Sequence, residues 1–220
     1  MSPVLIHGNP HNRLREEKLL LDEMFQLRHS VFKERLCWDV TSVESRERDG
    51  YDDLDPVYLL CPGENNFVEG CWRLLPSTGP YMLKDIFSDL LDDHLPPCSS
   101  TVWEASRFAV RTGERNYRSL AGLGRMTRTM VVALHEFAIR NGIDKIIAVS
   151  ELRFERLLIR TGADVHRYGE PRKIGNVTAV AGWLNINRES LHRVQTLAGL
   201  QDSVLDDEFS QETNSVALQT

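Results

Sequence analysis

The sequence predicts a mixed α/β (α+β) domain, a three-layer α-β-α sandwich around a mixed central sheet. Three observations lead to it. Two long segments carry apolar residues at helical spacing, at 14–36 and 120–141. Several shorter runs are apolar or alternate as strands do, and they follow or precede the helical segments in turn. The length of 220 residues, with 41% hydrophobic and 26% charged, suits one globular domain with a sizeable core. Residues 1–200 are expected to form that single domain, and 201–220 (QDSVLDDEFSQETNSVALQT) a flexible polar tail.

Taken in order, Leu20, Met24, Leu27 and Val31 recur along 14–36, with Leu21, Phe25, Arg28 and Phe32 on the adjacent stripe. The charged stretch at 40–53 is predicted as a loop turning at Gly50. Strands follow at 57–61 and 68–75, separated by the turn-rich PGENN. Residues 76–100 (PSTGPY … LPPCSS) form an irregular excursion with one short helix, and 102–111 a strand. The helix at 120–141 presents Leu123, Met130, Val131, Leu134 and Phe137 and stops at Gly142. A buried strand at 143–149, a helix at 151–161 stopped by Gly162, and strands at 163–168 and 177–186 complete the series.

Composition excludes some functions. Lys and Arg total 26 against 32 Asp and Glu, so a generally basic nucleic-acid-binding surface is absent. Cys37, Cys61, Cys71 and Cys98 show no CxxC spacing, so free reduced thiols are expected and no metal site. No signal-peptide core or membrane-length apolar run occurs, and a cytoplasmic protein without a membrane anchor is expected.

Four stretches could carry chemistry. In RHSVFKERLCWDVTSVESRERDGYD, Arg28 and Phe32 share a helix face, Trp38 lies beyond the helix end, and Glu47, Asp49 and Asp52 offer three carboxylates. A guanidinium grips a carboxylate with two bonds, an aromatic face attracts a cation or stacks on a purine, and a carboxylate holds an ammonium. The set fits either a zwitterionic ligand with an added positive charge and an aromatic base, or a solvated loop with a buried Trp. In GCWRLLPSTGPYMLKDIF, alternation places Trp72 and Leu74 on one strand face and Cys71 and Arg73 on the other. Arg73 either snorkels to the surface or is buried and orders the carboxylates of the charged loop.

In VWEASRFAVR, strict alternation sets Glu104, Ser106 and Phe108 on one face and Trp103, Ala105 and Arg107 on the other. Glu and Arg in an apolar strand require either an ion pair or a catalytic use, and serving one site at this odd spacing requires a β-bulge or a sheet rim. In RSLAGLGR, Gly122 and Gly124 precede the best helix, where backbone N–H groups could approach a phosphate, or simply turn the chain.

Together RHSVFKERLCWDV, ERDGYD, GCWRLLPSTGPYMLKDIF and WEASRFAV closely resemble the acyl-homoserine lactone synthases of the LuxI type, the autoinducer synthases of bacterial quorum sensing. The resemblance spans about residues 20–190 and is strongest in the first half. Arg28, Phe32, Trp38, Asp49, Asp52, Arg73, Phe87, Glu104 and Arg107 stand at the family's characteristic positions, and Glu47 at a commonly acidic one. It implies a fold similar to the GNAT N-acyltransferases. There the phosphate loop has the form Q/R-x-x-G-x-G/A, and this chain departs from it with Ser119 at the first position.

The implied reaction joins S-adenosylmethionine, a substrate and not a cofactor, to an acyl thioester. N-acylation is followed by lactonisation, with release of 5′-methylthioadenosine. The resemblance implies Glu104 and Arg107 as catalytic and Arg28, Phe32, Trp38, Asp49, Asp52 and Phe108 as contacts to S-adenosylmethionine. Arg28 and Arg107 would position its carboxylate or order the loop, and Asp49 and Asp52 would hold it directly or fix Arg73. Glu47, Arg73 and Phe87 would support them. Met82, Ser106, Ala148 and Ser150 would line the acyl pocket, Ala148 pointing to an unsubstituted chain. Gly122 and Gly124 with Arg153 and Arg156 would receive an acyl carrier protein's phosphopantetheine arm, or acyl-CoA. No further cofactor is expected. The alternative is a GNAT-like N-acyltransferase that acylates another amine without S-adenosylmethionine.

Overall fold

The apolar stripe of Leu20, Leu21, Met24 and Leu27 is the buried face of helix α1 (Arg15–Arg28). Opposite it lie strands β1 (Val4–His7) and β4 (Val57–Pro62), paired antiparallel with Val4 beside Leu60 and Ile6 beside Tyr58. Between α1 and β4 come two short strands, β2 (Ser42–Val43) and β3 (Arg46–Glu47), which form a separate hairpin. Two further strands, β5 (Val68–Pro76) and β6 (Val102–Val110), extend the sheet in the order β1-β4-β5-β6. The computed structural model describes residues 2–7, 15–64, 67–111 and 124–205.

The chain divides into two compact units. The first comprises Met1–Arg73, Arg107–Met130 and Val204–Thr220, the second Leu74–Ser106 and Val131–Ser203, so β5 and β6 each contribute residues to both. In the first unit, Val4, Ile6, Tyr58, Leu60, Cys71 and Ala109 pack with α1 in one core. The neighbouring positions point the other way, where a side chain at Gly70 would press on Met126 and Met130 at the start of helix α3 (Arg125–Arg140).

The second unit carries α2 (Met82–Asp85), β7 (Lys145–Glu151), α4 (Leu152–Arg160), β8 (Val165–Arg167), β9 (Arg172–Ile174), β10 (Val177–Asn185) and α5 (Arg188–Ala198). Its sheet runs β6-β7-β10-β8, with β9 paired to β10. β6 and β7 are parallel and the other pairs antiparallel, which makes the sheet mixed as predicted. One face packs Val102, Ile147, Ala179 and Ala181 against Tyr81, Leu83, Leu90 and Leu91 of the excursion. On the other, Trp103 meets Phe137 of α3 edge to face. Each unit is therefore layered on both faces of its strands.

The long predicted elements stand, and the differences are local. The helix predicted to 36 changes at His29 to a π-helical turn, His29–Arg35. The charged loop contains the β2–β3 hairpin and a 3₁₀ turn at Gly50–Asp53. β1, with four residues, and β9, with three, are too short to show a period and are made by pairing. No counterpart to α5 is predicted, because only Ser190 and Val194 of its eleven residues are buried. Its ends are nevertheless coded, by an Asn187–Ser190 capping box and by Gly199 in a left-handed conformation.

The start of the expected tail is held: Ser203 Oγ donates to Glu136 (2.9 Å) and accepts from Arg140 (2.8 Å). Residues 206–220, Leu123 and Gly122 lie outside the described residues. No described helix is long and apolar enough to cross a membrane.

Gly162 ends α4 as predicted, at φ +88°, and a Cβ there would meet Leu197 Cδ1 of α5 at 2.7 Å. Gly162→Ala is expected to lose about 1–2 kcal/mol from the left-handed backbone alone, and more from this contact. Urea unfolding of the two proteins measures the difference.

Candidate active site

Five segments of the first unit converge on one buried cluster. The π-helical turn widens the end of α1, with Leu36 N–H donating to Val31 O (3.0 Å) and Trp38 N–H to Phe32 O (2.8 Å). Cys37, at φ +53°, then folds the chain back so that Trp38 stacks on Phe32, ring centroids 5.1 Å apart. The β2–β3 hairpin turns at Glu44 and Ser45, both with positive φ, and delivers Glu47 into the interior. Asp49 caps the 3₁₀ turn: its Oδ1 accepts from Tyr51 N–H (2.9 Å), while its own N–H donates to Asp52 Oδ2 (2.9 Å). β5 supplies Arg73. β6 supplies Arg107, which interrupts the strand's alternation with φ +54°.

The six charged side chains close into a ring of alternating sign. Arg28 Nε donates to Glu47 Oε2 (2.5 Å), and Arg107 Nε donates to Glu47 Oε1 (3.1 Å). Arg107 Nη2 donates to Asp49 Oδ2 (2.6 Å), and Arg73 Nη1 to Asp49 Oδ1 (2.5 Å). Arg73 also lies 3.1 Å from Asp52, whose two oxygens accept from Arg28 Nη1 (2.7 Å) and Nη2 (3.0 Å). Tyr58 Oη donates to Asp52 Oδ1 at 2.8 Å. The side chains of Arg28, Glu47, Arg73 and Asp52 have no exposed area, whereas 19% of Asp49 and 12% of Arg107 is exposed. The ring thus meets solvent along one edge, Asp49–Arg107, and the Arg107 guanidinium lies 5.7 Å from the Phe32 ring centre.

Burial would lift the Asp52 carboxyl, but the charge and hydrogen bonds of Arg28, with Arg73 and the Asp49 N–H, hold it well below the carboxylate range. Burial likewise opposes the charge on Arg28, yet Asp52 and Glu47 raise it above its ordinary value. For Arg107 burial prevails, and it is lowered despite Glu47 and Asp49. Arg107 is the less favourably charged of these two arginines, and it stands at the open edge. Burial and the neighbouring Asp52 push the Tyr58 hydroxyl up, so it stays a donor.

In the second unit, Glu104 is 1% exposed and caps α2: Oε2 accepts from Met82 N–H (3.0 Å) and Oε1 from Leu83 N–H (2.7 Å). The parallel β6–β7 ladder pairs Val102–Glu104 with Lys145–Ile147 and extends no further, although both strands continue.

The model of the family described as autoinducer synthase matches residues 11–194. The chain belongs to the autoinducer synthase family. A Pseudomonas aeruginosa acyl-homoserine-lactone synthase is 42% identical over 176 residues, 79% of this chain and 86% of that protein. The crystal structure of the AHL synthase LasI is similar with a TM-score of 0.75 at 38% identity, covering 89% of this chain and 96% of that one. The CoA-dependent acyl-homoserine lactone synthase BjaI, solved with SAM and isopentyl-CoA, gives 0.80 at 28% identity over 97% and 99%. A putative N-acetyltransferase from Lactobacillus plantarum shares the fold, with a TM-score of 0.53 at 16% identity over 85% and 100%. The synthase is an acyltransferase with a GNAT-like fold, as its sequence predicts.

The remaining predicted site residues of the synthase are placed as follows. Arg28 and Asp52 are shielded from solvent and bonded to one another and to Glu47, Arg73 and Tyr58, which matches the ordering half of the two roles expected of them. They form the enclosed side of the ring. Arg73 is buried in the ring and does not snorkel. Phe108 packs on Trp72, ring centroids 4.3 Å apart, and β5 alternation sets Trp72 opposite Arg73. Phe87 packs in the core of the second unit, against the excursion and β10.

Ala148 and Ser150 are partly exposed on the face of β7 opposite Ile147, and Ile147 is in register with Glu104. Met82 is buried in α2 and Ser106 half-buried on β6. Arg153 and Arg156 are exposed on α4. Gly124 is exposed before α3, and its O accepts from Arg128 N–H (3.3 Å). Tyr58 escaped sequence reasoning, since a Tyr alternating into a strand carries no local mark of an acidic partner. The Met82 and Leu83 N–H groups carry no residue signal at all.

Because the Asp52 carboxyl is held below its ordinary value of 3.8, its stabilisation is complete above about pH 5 and is lost as pH falls below the unfolded value. Asp52→Asn is expected to lose about 3–5 kcal/mol near neutrality, the scale of breaking a buried pair from one side. Its unfolding free energy should also decline less steeply than that of the wild type below pH 4. Denaturant titrations across pH 3–7 read both.

Proposed function

We propose that the synthase makes an acyl-homoserine lactone from S-adenosylmethionine and a fatty acyl thioester, and that the Asp49–Arg107 edge receives the amino-acid end of S-adenosylmethionine. One observation carries the proposal: a closed ring of alternating charges exposed along a single edge, beside the stacked Phe32 and Trp38. An α-amino acid zwitterion can enter between Asp49 and Arg107 without breaking the alternation, its ammonium against Asp49 and its carboxylate against Arg107. The aromatic pair then lies where an adenosyl group and a sulfonium gain stacking and cation–π attraction. BjaI, solved with SAM and isopentyl-CoA, supports the substrate classes.

The amine must shed its ammonium proton before it attacks the thioester carbonyl. Glu104 is the acceptor in this reading, directly or through a water, with its orientation set by the two α2 N–H groups. The amide C–N bond forms as the C–S bond breaks, and the thiol leaves with a second proton. The homoserine carboxylate oxygen then attacks the γ-carbon, the sulfonium C–S bond breaks, and neutral 5′-methylthioadenosine departs, with one proton released overall.

The acyl donor is an acyl carrier protein or CoA thioester. Exposed Arg153 and Arg156 suit the acidic surface of a carrier protein, and Gly124, with Gly122 beside it in sequence, an approaching phosphate. Small Ala148 suits an unsubstituted chain, with Ser150, Ser106 and Met82 as further pocket candidates. Both substrates place the reaction in the cytoplasm.

Incubation with S-adenosylmethionine and a panel of acyl-carrier-protein and acyl-CoA thioesters, read by mass spectrometry, should yield lactone and methylthioadenosine. Absence of both with every donor refutes the reading. Glu104→Gln is expected to slow turnover about 10²–10⁴-fold while S-adenosylmethionine still binds; equal loss of binding would make Glu104 structural. Asp49→Asn should weaken S-adenosylmethionine binding by about 10- to 100-fold, the worth of one charge-assisted contact, as calorimetry would show.

A further inference from the structure

The excursion between β5 and β6 presents α2 to Glu104, and its fastening accounts for a group of residues with no other evident task. Its base is closed by Ser77: the Oγ donates to Ser99 O and accepts from Ser99 N–H, both at 3.0 Å. Farther along, Tyr81 Oη donates to Pro97 O at 2.5 Å. Beyond α2 the chain makes a 3₁₀ turn, Ser88–Leu91, that ends at Asp92 with φ +47° and ψ −119°. An L-residue holds that conformation only where its surroundings impose it.

The surroundings are the turn between β8 and β9. Asp92 Oδ2 accepts from Glu170 N–H (3.2 Å), and Oδ1 accepts from Arg172 Nη2. The carboxylate lies so close over Gly169 that a Cβ there would overlap it. His94 meets Tyr168 edge to face at 5.5 Å, and Leu91 shares a core with Tyr168 and Ile174. Gly169 has no need of a left-handed backbone, since it is not among the glycines of positive φ. Its lack of a side chain makes room for the Asp92 carboxylate.

We propose that Asp92, Gly169 and Arg172 form a latch that holds the excursion on the β8–β9 turn and thereby keeps the Met82 and Leu83 N–H groups on Glu104. These are positioning residues, acting through α2 and touching no substrate. Their effect on catalysis rests on the role of Glu104 proposed above. The latch itself does not.

The two are separated by reading amide hydrogen exchange at Met82 and Leu83 alongside turnover. Asp92→Ala is expected to speed exchange at both amides about three- to tenfold, the range open to a partly exposed ion pair and its associated contacts. It should lower kcat and leave KM for S-adenosylmethionine unchanged. Gly169→Ala should do the same in the wild-type background but have little added effect on top of Asp92→Ala, because the overlapping carboxylate is then gone. Unchanged exchange in both single variants, or an equal effect of Gly169→Ala with and without the Asp92 side chain, overturns the latch. Faster exchange with undiminished kcat keeps the latch and overturns its effect on turnover, leaving the role of Glu104 to Glu104→Gln.

Discussion

Everything at the candidate site depends on charge alternation around a closed loop. Three guanidinium groups and three carboxylates, buried together, would be prohibitive as isolated ions, since desolvation of each is worth several kcal/mol. They are tolerated because each ion lies between two of opposite sign and the set sums to zero. The six come from the end of α1, the hairpin, the capped 3₁₀ turn, β5 and the irregular point of β6. The ring therefore ties together five pieces of backbone. The local oddities serve it: a π-helical turn, a hairpin with two left-handed residues, and an arginine in a left-handed conformation within a strand.

The ring also divides labour among residues of one chemical type. Asp52 and Asp49 stand three positions apart in ERDGYD, yet one is sealed beneath Arg28, Arg73 and Tyr58 and the other reaches solvent. Arg28 and Arg107 differ in the same way. The buried members fix positions, and the exposed pair offers one charge of each sign at a set separation. Glu104 is prepared by other means, a pair of backbone N–H groups donated by α2.

Much of the fold was legible because apolar period is local information. α1, β5, β6 and α3 each bury enough side chains to show it, whereas β1, β9, the hairpin and α5 do not, being two to four residues long or thinly buried. At the site, residue types were readable and partners were not. The ring closes between positions as far apart as Glu47 and Arg107, and nothing near either tells which carboxylate meets which cation. Alternation along β6 failed for a definite reason: the φ of +54° at Arg107 resets it, and Phe108 turns to Trp72. The need for such an irregularity was readable from the spacing of Glu104 and Arg107; its location was not.

The neutrality of the ring has a consequence for leaving as well as for arriving. On the reaction proposed above, the incoming molecule carries an ammonium and a carboxylate, and the outgoing lactone carries neither. Amide formation removes the partner of Asp49, and ring closure removes the partner of Arg107. Asp49 and Arg107 then satisfy each other, at 2.6 Å, within a ring where Arg73 and Glu47 already hold their other sides. On that reaction the product offers the edge neither charge that the substrate brought, so the ring's own pairing favours its departure.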